Sequence, residues 1–229
     1  MGNSLSQRSR GSDTSTVDIV SDKPCPLKVV IISDTHNDHR SVTVPDGDVL
    51  IHGGDFTNFG SIEHAYDFNE WLGTLPHAHK IVVNGNHESN APWKKQTKDI
   101  LTNAIFLRQE AIVLHRTDAS PVKFYGTDFF WPIRDGGNPY FDQIDADTDV
   151  LIAHGPVDCF MDGGYGCPAL RRRCEDLKQS NLKLVIGGHI HSAYGTCGGT
   201  EGCEGVQFVN GSICGSARKA CHEPIVVMI

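Results

Sequence analysis

Short hydrophobic runs separated by polar loops recur along the chain from residue 27 onward. Five of these runs are continuous and rich in Val and Ile, which is typical of strands buried on both faces: residues 29–32, 49–51, 81–83, 150–152 and 184–186. Weaker runs predict further strands at residues 111–114, 122–125, 206–209 and 225–228. Strands are thus predicted along most of the chain.

Two segments have helical periodicity instead. Residues 61–75 carry apolar side chains at spacings of three or four, namely Ile62, Ala65, Phe68, Leu72 and Leu75. Residues 168–179 begin with Pro168, which suits the first turn of a helix, and place Leu170, Cys174 and Leu177 on one face. Because helices and strands interleave, the predicted fold class is α/β.

The N-terminal residues 1–24 are polar, rich in Ser, Asp and Thr, and without periodicity. This composition predicts a disordered tail, followed by one folded domain at residues 25–229. The first six residues, MGNSLS, also fit the pattern for N-myristoylation of Gly2. Two interpretations stay open: weak, reversible membrane association through an acylated Gly2, or a solvated tail that fits a loose pattern by chance.

Charge and composition limit the classes of binding partner, the cellular location and the state of the cysteines that can be expected. The formal net charge of −8 argues against general nucleic-acid binding, which depends on Lys and Arg contacts to phosphates. The N-terminus has no apolar core of a secretory signal, so the expected location is cytoplasmic. The eight cysteines could form disulfides, but a cytoplasmic protein is expected to keep them as free or buried thiols.

Polar residues that can bind metals follow each of the five strongest strands. They are Asp34 and His36, Asp55, Asn86, His154, and His189 with His191. Ligands of open α/β sheets bind at the carboxyl ends of strands, so we expect these side chains to meet at one edge. Carboxylate, imidazole and amide groups without cysteine suit divalent Mn, Fe, Zn or Ni rather than a structural zinc site. A carboxylate such as Asp55 could bridge two such ions.

The order of these motifs resembles a known family. The series Asp-x-His, Gly-Asp, Gly-Asn-His-Glu, His and Gly-His-x-His is similar to that of the calcineurin-like metallophosphoesterases, over roughly residues 27–229. The segments GDFTN at 54–58, AHGP at 153–156 and VNGS at 209–212 resemble the metallophosphoesterase-domain-containing, or UPF0046-type, branch. The resemblance implies a four-layer αββα fold with two divalent metal ions at the sheet edge.

The resemblance also implies individual roles. Asp34, His36 and His191 would bind one metal, Asn86, His154 and His189 the other, and Asp55 would bridge them. His87 matches the catalytic histidine beside the ligand asparagine. The implied substrate is a phosphodiester, with small cyclic nucleotides (2′,3′ or 3′,5′) as candidates. A phosphomonoesterase, acting on protein or on a small molecule, and a low-activity nucleotide-binding or scaffolding module are the alternatives.

The expected mechanism follows from charge. A water molecule that bridges two divalent cations has a lowered pKa and attacks phosphorus as hydroxide, while His87 either protonates the leaving oxygen or stabilises the charge that develops on it. Glu88 either orients His87 or serves as a structural cap, and His52 is a candidate partner of the ligand residues. Asn58 and Arg134 are candidate substrate contacts, and residues 171–173, three arginines, form either a solvated helix face or a phosphate contact.

Overall fold

The structure is a computed structural model that describes residues 16–21, 26–117, 119–133, 138–215 and 217–229. Its strands are β1 (Thr16–Ser21), β2 (Lys28–Ile32), β3 (Val49–His52), β4 (His79–Val82), β5 (Ile105–Phe106), β6 (Glu110–Arg116), β7 (Ala119–Gly126), β8 (Val150–Ile152), β9 (Leu184–Gly187), β10 (Gly195–Gly198), β11 (Gln207–Asn210) and β12 (Ile225–Met228). Its helices are α1 (Ile62–Thr74), α2 (Asn86–Ser89), α3 (Thr97–Ile100) and α4 (Pro168–Lys178). Short 3-10 turns cover His39–Ser41 and His191–Ala193.

The strands form two sheets. One has five strands in the order β12-β2-β3-β4-β5, and the other has seven in the order β1-β6-β7-β8-β9-β11-β10. Strands β2 to β5 are parallel, as are β7, β8, β9 and β11, so their carboxyl ends lie at common edges. The predicted strands and both predicted long helices are present.

Successive side chains of a strand point to opposite faces of its sheet, so each sheet packs against a different layer on each face. In β2, Val29 and Ile31 point into the core between the two sheets, whereas Val30 and Ile32 face the opposite way, against α1. The seven-stranded sheet likewise packs its outer face against α4. Both faces of these strands are therefore buried, which is why their sequences are continuously apolar rather than alternating. The layers follow the order helix, sheet, sheet, helix, confirming the predicted αββα architecture.

The structure differs from the predicted tail at β1. This strand runs parallel to β6 at the edge of the seven-stranded sheet, and Ile19 packs against the core between the sheets. Val17 and Val20 remain 53% and 69% exposed, so β1 carries too little buried surface to give a clear pattern in the sequence. Disorder is thus the wrong prediction for Thr16–Ser21. The acylation pattern at Gly2 lies outside the described residues.

Two further findings concern the helices and the thiols. None of the described helices combines the length and hydrophobicity that crossing a bilayer requires. All seven described cysteines are free thiols, several of them buried in the core beneath α4. Cys25 lies outside the described residues.

Candidate metal centre

The carboxyl ends of β2, β3, β4, β8 and β9 meet where the two sheets adjoin. Backbone hydrogen bonds connect the loops that follow them: the Asp34 N–H donates to the Gly54 carbonyl over 2.9 Å, and the Gly188 N–H donates to the His154 carbonyl over 3.0 Å. All the side chains predicted as metal ligands follow these strands. The two sheets together thus supply one site.

Four of these residues have unusual backbone conformations. Asp34, His36, Asp55 and His189 lie in the left-handed region, with φ between 43° and 67°. Residues other than glycine rarely adopt this region, and such strain is concentrated at functional sites. The surrounding backbone bonds therefore stabilise a conformation that these residues would not adopt in a free chain.

The donor atoms form three groups of residues, each with all its ligand atoms within 4.8 Å of one another and so able to hold a metal ion. Asp34, His36 and His191 form one group, and Asp55, His154 and His189 form another, as the family resemblance implies. The third group joins His36, Asp55 and His87. Asp55 also lies near the first group, since its Oδ2 is 4.0 Å from His36 Nε2.

Backbone carbonyls orient three of the imidazole rings. The Nδ1 atoms of His36, His154 and His191 lie 3.3, 2.8 and 3.1 Å from the carbonyl oxygens of Thr57, Gly53 and Gly215, respectively. A carbonyl only accepts, so each Nδ1 carries the proton and each neutral ring has a free lone pair on Nε2. This is the usual arrangement of metal-binding histidines.

The Nε2 atoms are arranged as if a positive charge lay between them. His36 Nε2 and His191 Nε2 are only 3.0 Å apart, a distance at which two lone pairs repel unless a proton or a cation is shared. In addition, Asn86 Oδ1 and His154 Nε2 are buried without a hydrogen-bond partner among the described residues. Unsatisfied buried polar atoms are costly, so a bound ion explains their presence. The residues thus fit a pair of divalent cations.

Electrostatics supports the same conclusion. Burial raises the pKa of Asp34, but His154 and His191 outweigh it and hold this pKa well below its usual range. Burial lowers the pKa of His36 and of His189 to about 4, which keeps both rings neutral and able to bind a cation. Burial also disfavours the charged form of His154, but Asp55 and Asp34 prevail and raise its pKa to about 9. Without metal, a proton on His154 takes the place of a cation.

Both carboxylates are held by further contacts. Asp34 accepts from the His189 N–H and from the Ser212 hydroxyl, whereas Asp55 Oδ1 accepts from the His87 N–H over 2.9 Å. Glycine is required beside each carboxylate. A Cβ atom at Gly85 would lie 2.0 Å from Asp55 Oδ1, and one at Gly188 would lie 2.2 Å from Asp34 Oδ2. The Gly-Asn-His and Gly-His motifs thus let the backbone approach the ligands closely.

Glu88 proves to be a structural anchor. Its fully buried carboxylate accepts from the N–H groups of Asp55, Thr57 and Gly85 and from the Thr57 hydroxyl, over 2.7 to 2.9 Å. Burial and the nearby charge of Asp55 raise the pKa of Glu88 to about 7. The carboxylate therefore connects the loop after β3 to the loop after β4, and His87 is not among its hydrogen-bond partners.

Substituting Glu88 tests this structural role. Glu88→Gln places an amide N–H₂ against backbone donors, so we expect the free energy of unfolding of the metal-free protein to fall by about 3 kcal/mol, since unsatisfied buried groups cost about 1–3 kcal/mol each. Urea unfolding monitored by circular dichroism measures the change. Glu70→Gln, at an exposed position of α1, is the control and should unfold like the unmodified protein. An equally stable Glu88→Gln variant would contradict the anchor role.

His87 lies beside the ligands, in a cleft of about 240 Å³ that is also lined by Phe59 and Arg218. The His87 ring stacks on Phe59 with centroids 3.6 Å apart. Its Nδ1 accepts from the Phe59 N–H over 3.2 Å, so the neutral ring carries its proton on Nε2. That atom is 3.7 Å from Asp55 Oδ2. His87 thus presents a donor beside the metal-binding side chains.

The other candidates have varied positions. His52 is buried, accepts from the Gly54 N–H and contacts the Thr35 hydroxyl, so it supports both ligand loops. Asn58 contacts Arg218, and Arg134 lies outside the described residues. Arg171 is only 9% exposed and bonds Glu175 and two backbone carbonyls, so it forms neither a solvated face nor a phosphate contact.

Sequence reasoning did not identify several residues around the centre. Phe129 and Trp131 pack against the ligand histidines, and the Trp131 ring centroid is 4.4 Å from that of His189. Phe59 and Arg218 line the cleft on the His87 side. These residues lie in loops without periodicity or a ligand pattern, so no local signal marks them.

Known proteins share this sequence pattern and fold. Residues 27–193 match the family described as calcineurin-like phosphoesterase. The chain is 34% identical to the UPF0046 protein K07C11.7 of Caenorhabditis elegans, covering 89% of this chain and 75% of that protein. It is 33% identical to the human metallophosphoesterase domain-containing protein 1, covering 90% and 73%. A crystal structure of TT1561 from Thermus thermophilus has a similar fold, with a TM-score of 0.53 at 13% identity over 81% of this chain and 88% of TT1561.

Proposed function

Because the chain belongs to the calcineurin-like phosphoesterase family, whose members use a dinuclear divalent metal centre, we propose that it hydrolyses small phosphodiesters, with cyclic nucleotides as the substrate class. Membership supports metal-dependent hydrolysis of phosphate esters, and the diester preference is the finer proposal. The observation that carries the metal-dependent hydrolysis is the cluster of carboxylate and imidazole donors around Asp55.

The proposed ligands divide around Asp55. Asp34, His36 and His191 would hold one cation, Asn86, His154 and His189 would hold the other, and Asp55 would be shared. When bound, the two cations neutralise charge on the phosphoryl oxygens and lower the pKa of water. The carbonyls of Thr57, Gly53 and Gly215 fix the rings of His36, His154 and His191, so that each neutral ring keeps its Nε2 lone pair free for a cation. The centre is thus oriented before substrate arrives, which favours electrostatic stabilisation of the transition state.

His87 supplies a hydrogen-bond donor in this proposal. Since its Nδ1 accepts from the Phe59 N–H, the proton of the neutral ring is on Nε2, on the side of the cleft. Stacking on Phe59 holds the ring in this orientation. A leaving oxygen placed beside Nε2 would accept a hydrogen bond from this N–H, which would stabilise the negative charge that develops as its bond to phosphorus breaks. His87 therefore stabilises charge on the leaving oxygen, and its backbone N–H independently positions Asp55.

Two features support a diester of a nucleoside. Arg218 is the only Lys or Arg lining the cleft within the described residues, and it lies beside His87. A monoanionic diester needs less compensating charge than a dianionic monoester. On the other side of the centre, Phe129 and Trp131 provide aromatic surface next to His154 and His189. Aromatic side chains are suited to stacking on nucleobases.

Hydrolysis by metal-stripped protein tests the proposal. Bis-p-nitrophenyl phosphate, p-nitrophenyl phosphate and 2′,3′-cyclic AMP are supplied with and without Mn²⁺, and product release is measured. We expect turnover of both diesters only when the metal is present. Turnover of the monoester alone would replace the diesterase by a phosphomonoesterase. Folded protein without turnover of any substrate would favour a nucleotide-binding or scaffolding module.

A further inference from the structure

Arg218 is presented to the cleft by a turn that is connected to the metal centre. Its N–H donates to the Gly215 carbonyl over 2.9 Å. The same carbonyl lies 3.1 Å from Nδ1 of His191, one of the proposed ligands. Arg218 also has a left-handed backbone, with φ of 53°, which a bulky residue adopts at a cost. The backbone at Arg218 is thus connected to the loop that orients a proposed ligand, and its exposed side chain extends from there.

The guanidinium is held next to His87. Its Nη1 donates to Asn58 Oδ1, and its Cζ lies 5.5 Å from the centroid of the Phe59 ring. Phe59 in turn stacks on His87. Since His87 is the proposed donor to the leaving oxygen, Arg218 lies on the side of the cleft toward which the leaving group extends.

The positive charge of Arg218 has no negative partner in the described part of the chain. Other arginines, Arg40, Arg108 and Arg171, form ion pairs with Asp67, Asp128 and Glu175. Arg218 has only the neutral amide of Asn58 and the face of Phe59. One guanidinium has five N–H donors, so most of them stay available for a ligand. Planar guanidinium groups are well suited to binding phosphate and carboxylate.

We propose that Arg218 forms a subsite for a second anionic group of the substrate, a phosphate or a carboxylate carried by the leaving group. This inference rests on the proposed function, because it takes the position of the leaving group from His87. Asn58 and Phe59 act as positioning residues that hold the guanidinium. Among the phosphodiesters of the proposed function, the subsite favours those whose leaving group carries a further negative charge over those, such as 2′,3′-cyclic AMP, that carry none.

A pair of phosphonates tests the subsite without any turnover. Butylphosphonate and 4-phosphonobutyrate share a phosphonate with a C–P bond that a phosphoesterase does not cleave, and they differ in one carboxylate. Calorimetric titration of the Mn²⁺-loaded protein gives Kd for each. We expect 4-phosphonobutyrate to bind about fivefold more tightly, as for a partly exposed ion pair.

Three variants test whether Arg218 causes the preference for 4-phosphonobutyrate over butylphosphonate. Arg218→Ala is expected to abolish it, so that the two Kd values become equal within a factor of two. Asn58→Asp is expected to do the same with Arg218 present, because the new carboxylate neutralises the guanidinium. Lys219→Ala removes the same charge from the same turn at a residue that does not line the cleft, and it should keep the fivefold ratio.

The possible failures are distinguishable. Equal affinity of the unmodified protein for both phosphonates, or an undiminished preference in Arg218→Ala, would overturn the subsite and leave the proposed function intact. No binding of either phosphonate to the Mn²⁺-loaded protein would overturn both, since the metal centre itself should bind phosphorus oxyanions. Turnover of diesters is measured separately and does not enter the ratio.

Discussion

Replacing Asp55 by asparagine is expected to lower kcat by about a thousandfold or more and to remove the stabilisation that metal ions give the fold. Asparagine keeps the size of the side chain and an oxygen that can accept from the His87 N–H. It removes the negative charge that both cations would share, and a loss of ~4 kcal/mol corresponds to about a thousandfold in rate. The effect should therefore come from charge rather than from misfolding.

Thermal unfolding with and without Mn²⁺ measures the second part of this expectation. Metal at a hundred times its Kd stabilises a protein by about 2.7 kcal/mol, which is roughly 5 to 10 °C in Tm at this size. Asp55→Asn should lose most of this shift while its metal-free Tm stays near that of the unmodified protein. Asp147→Asn, at a side chain that is 76% exposed and pairs with Lys123, is the matched control and should keep the shift. An unchanged metal response in Asp55→Asn would remove Asp55 from the centre.

The strands were predictable because burial on two faces leaves a strong local signal. Val30 and Ile32 fill one core while Val29 and Ile31 fill another, so the sequence is apolar at every position. The location of the site was predictable for a related reason. The carboxyl ends of parallel strands lie at one edge of a sheet, and a residue of a metal-binding type follows each of the five strongest strands. The same reasoning fails for β1, whose stability depends on pairing with β6, far along the chain.

The sequence gives no access to contacts between distant loops. The sequence around Glu88 is compatible with two roles, and only the fold shows that its carboxylate accepts hydrogen bonds from the backbone of Asp55 and Thr57. The run of three arginines suggests a charged helix surface or a phosphate contact, yet Arg171 packs over Phe160 and bonds carbonyls of two other loops. Arg218 and Phe59 are 159 positions apart in the numbering and meet only because both loops end at this edge.

The structure connects the strained backbone to the chemistry. Asp34, Asp55 and His189 all have positive φ values, and each takes part in a hydrogen bond between a backbone N–H and a carboxylate. The Asp55 N–H donates to Glu88, and the His189 N–H donates to the carboxylate of Asp34. The ligand side chains therefore stabilise the loops as well as supplying negative charge, so removing a whole side chain should affect geometry and charge together, whereas asparagine at position 55 keeps the accepting oxygen and removes only the charge.

Replacing His87 by alanine is expected to lower kcat for 2′,3′-cyclic AMP by about a hundredfold to a thousandfold, the usual cost of removing one hydrogen-bond donor to a developing oxyanion. The backbone N–H that donates to Asp55 remains in the variant, so the metal-induced rise in Tm should be retained. The loss should be much smaller for bis-p-nitrophenyl phosphate, about tenfold or less, because p-nitrophenolate spreads its negative charge over the ring and needs less stabilisation.

Comparing the loss of kcat for 2′,3′-cyclic AMP with that for bis-p-nitrophenyl phosphate distinguishes a catalytic role of His87 from a structural one. His115→Ala, which removes an exposed imidazole paired with Asp18, is the control and should leave both rates within a factor of two. If His87→Ala slows both substrates equally, the ring positions Phe59 and the cleft rather than stabilising the leaving oxygen. If it also loses the metal-induced rise in Tm, His87 contributes to holding the cations themselves, and the leaving oxygen must be stabilised by another group.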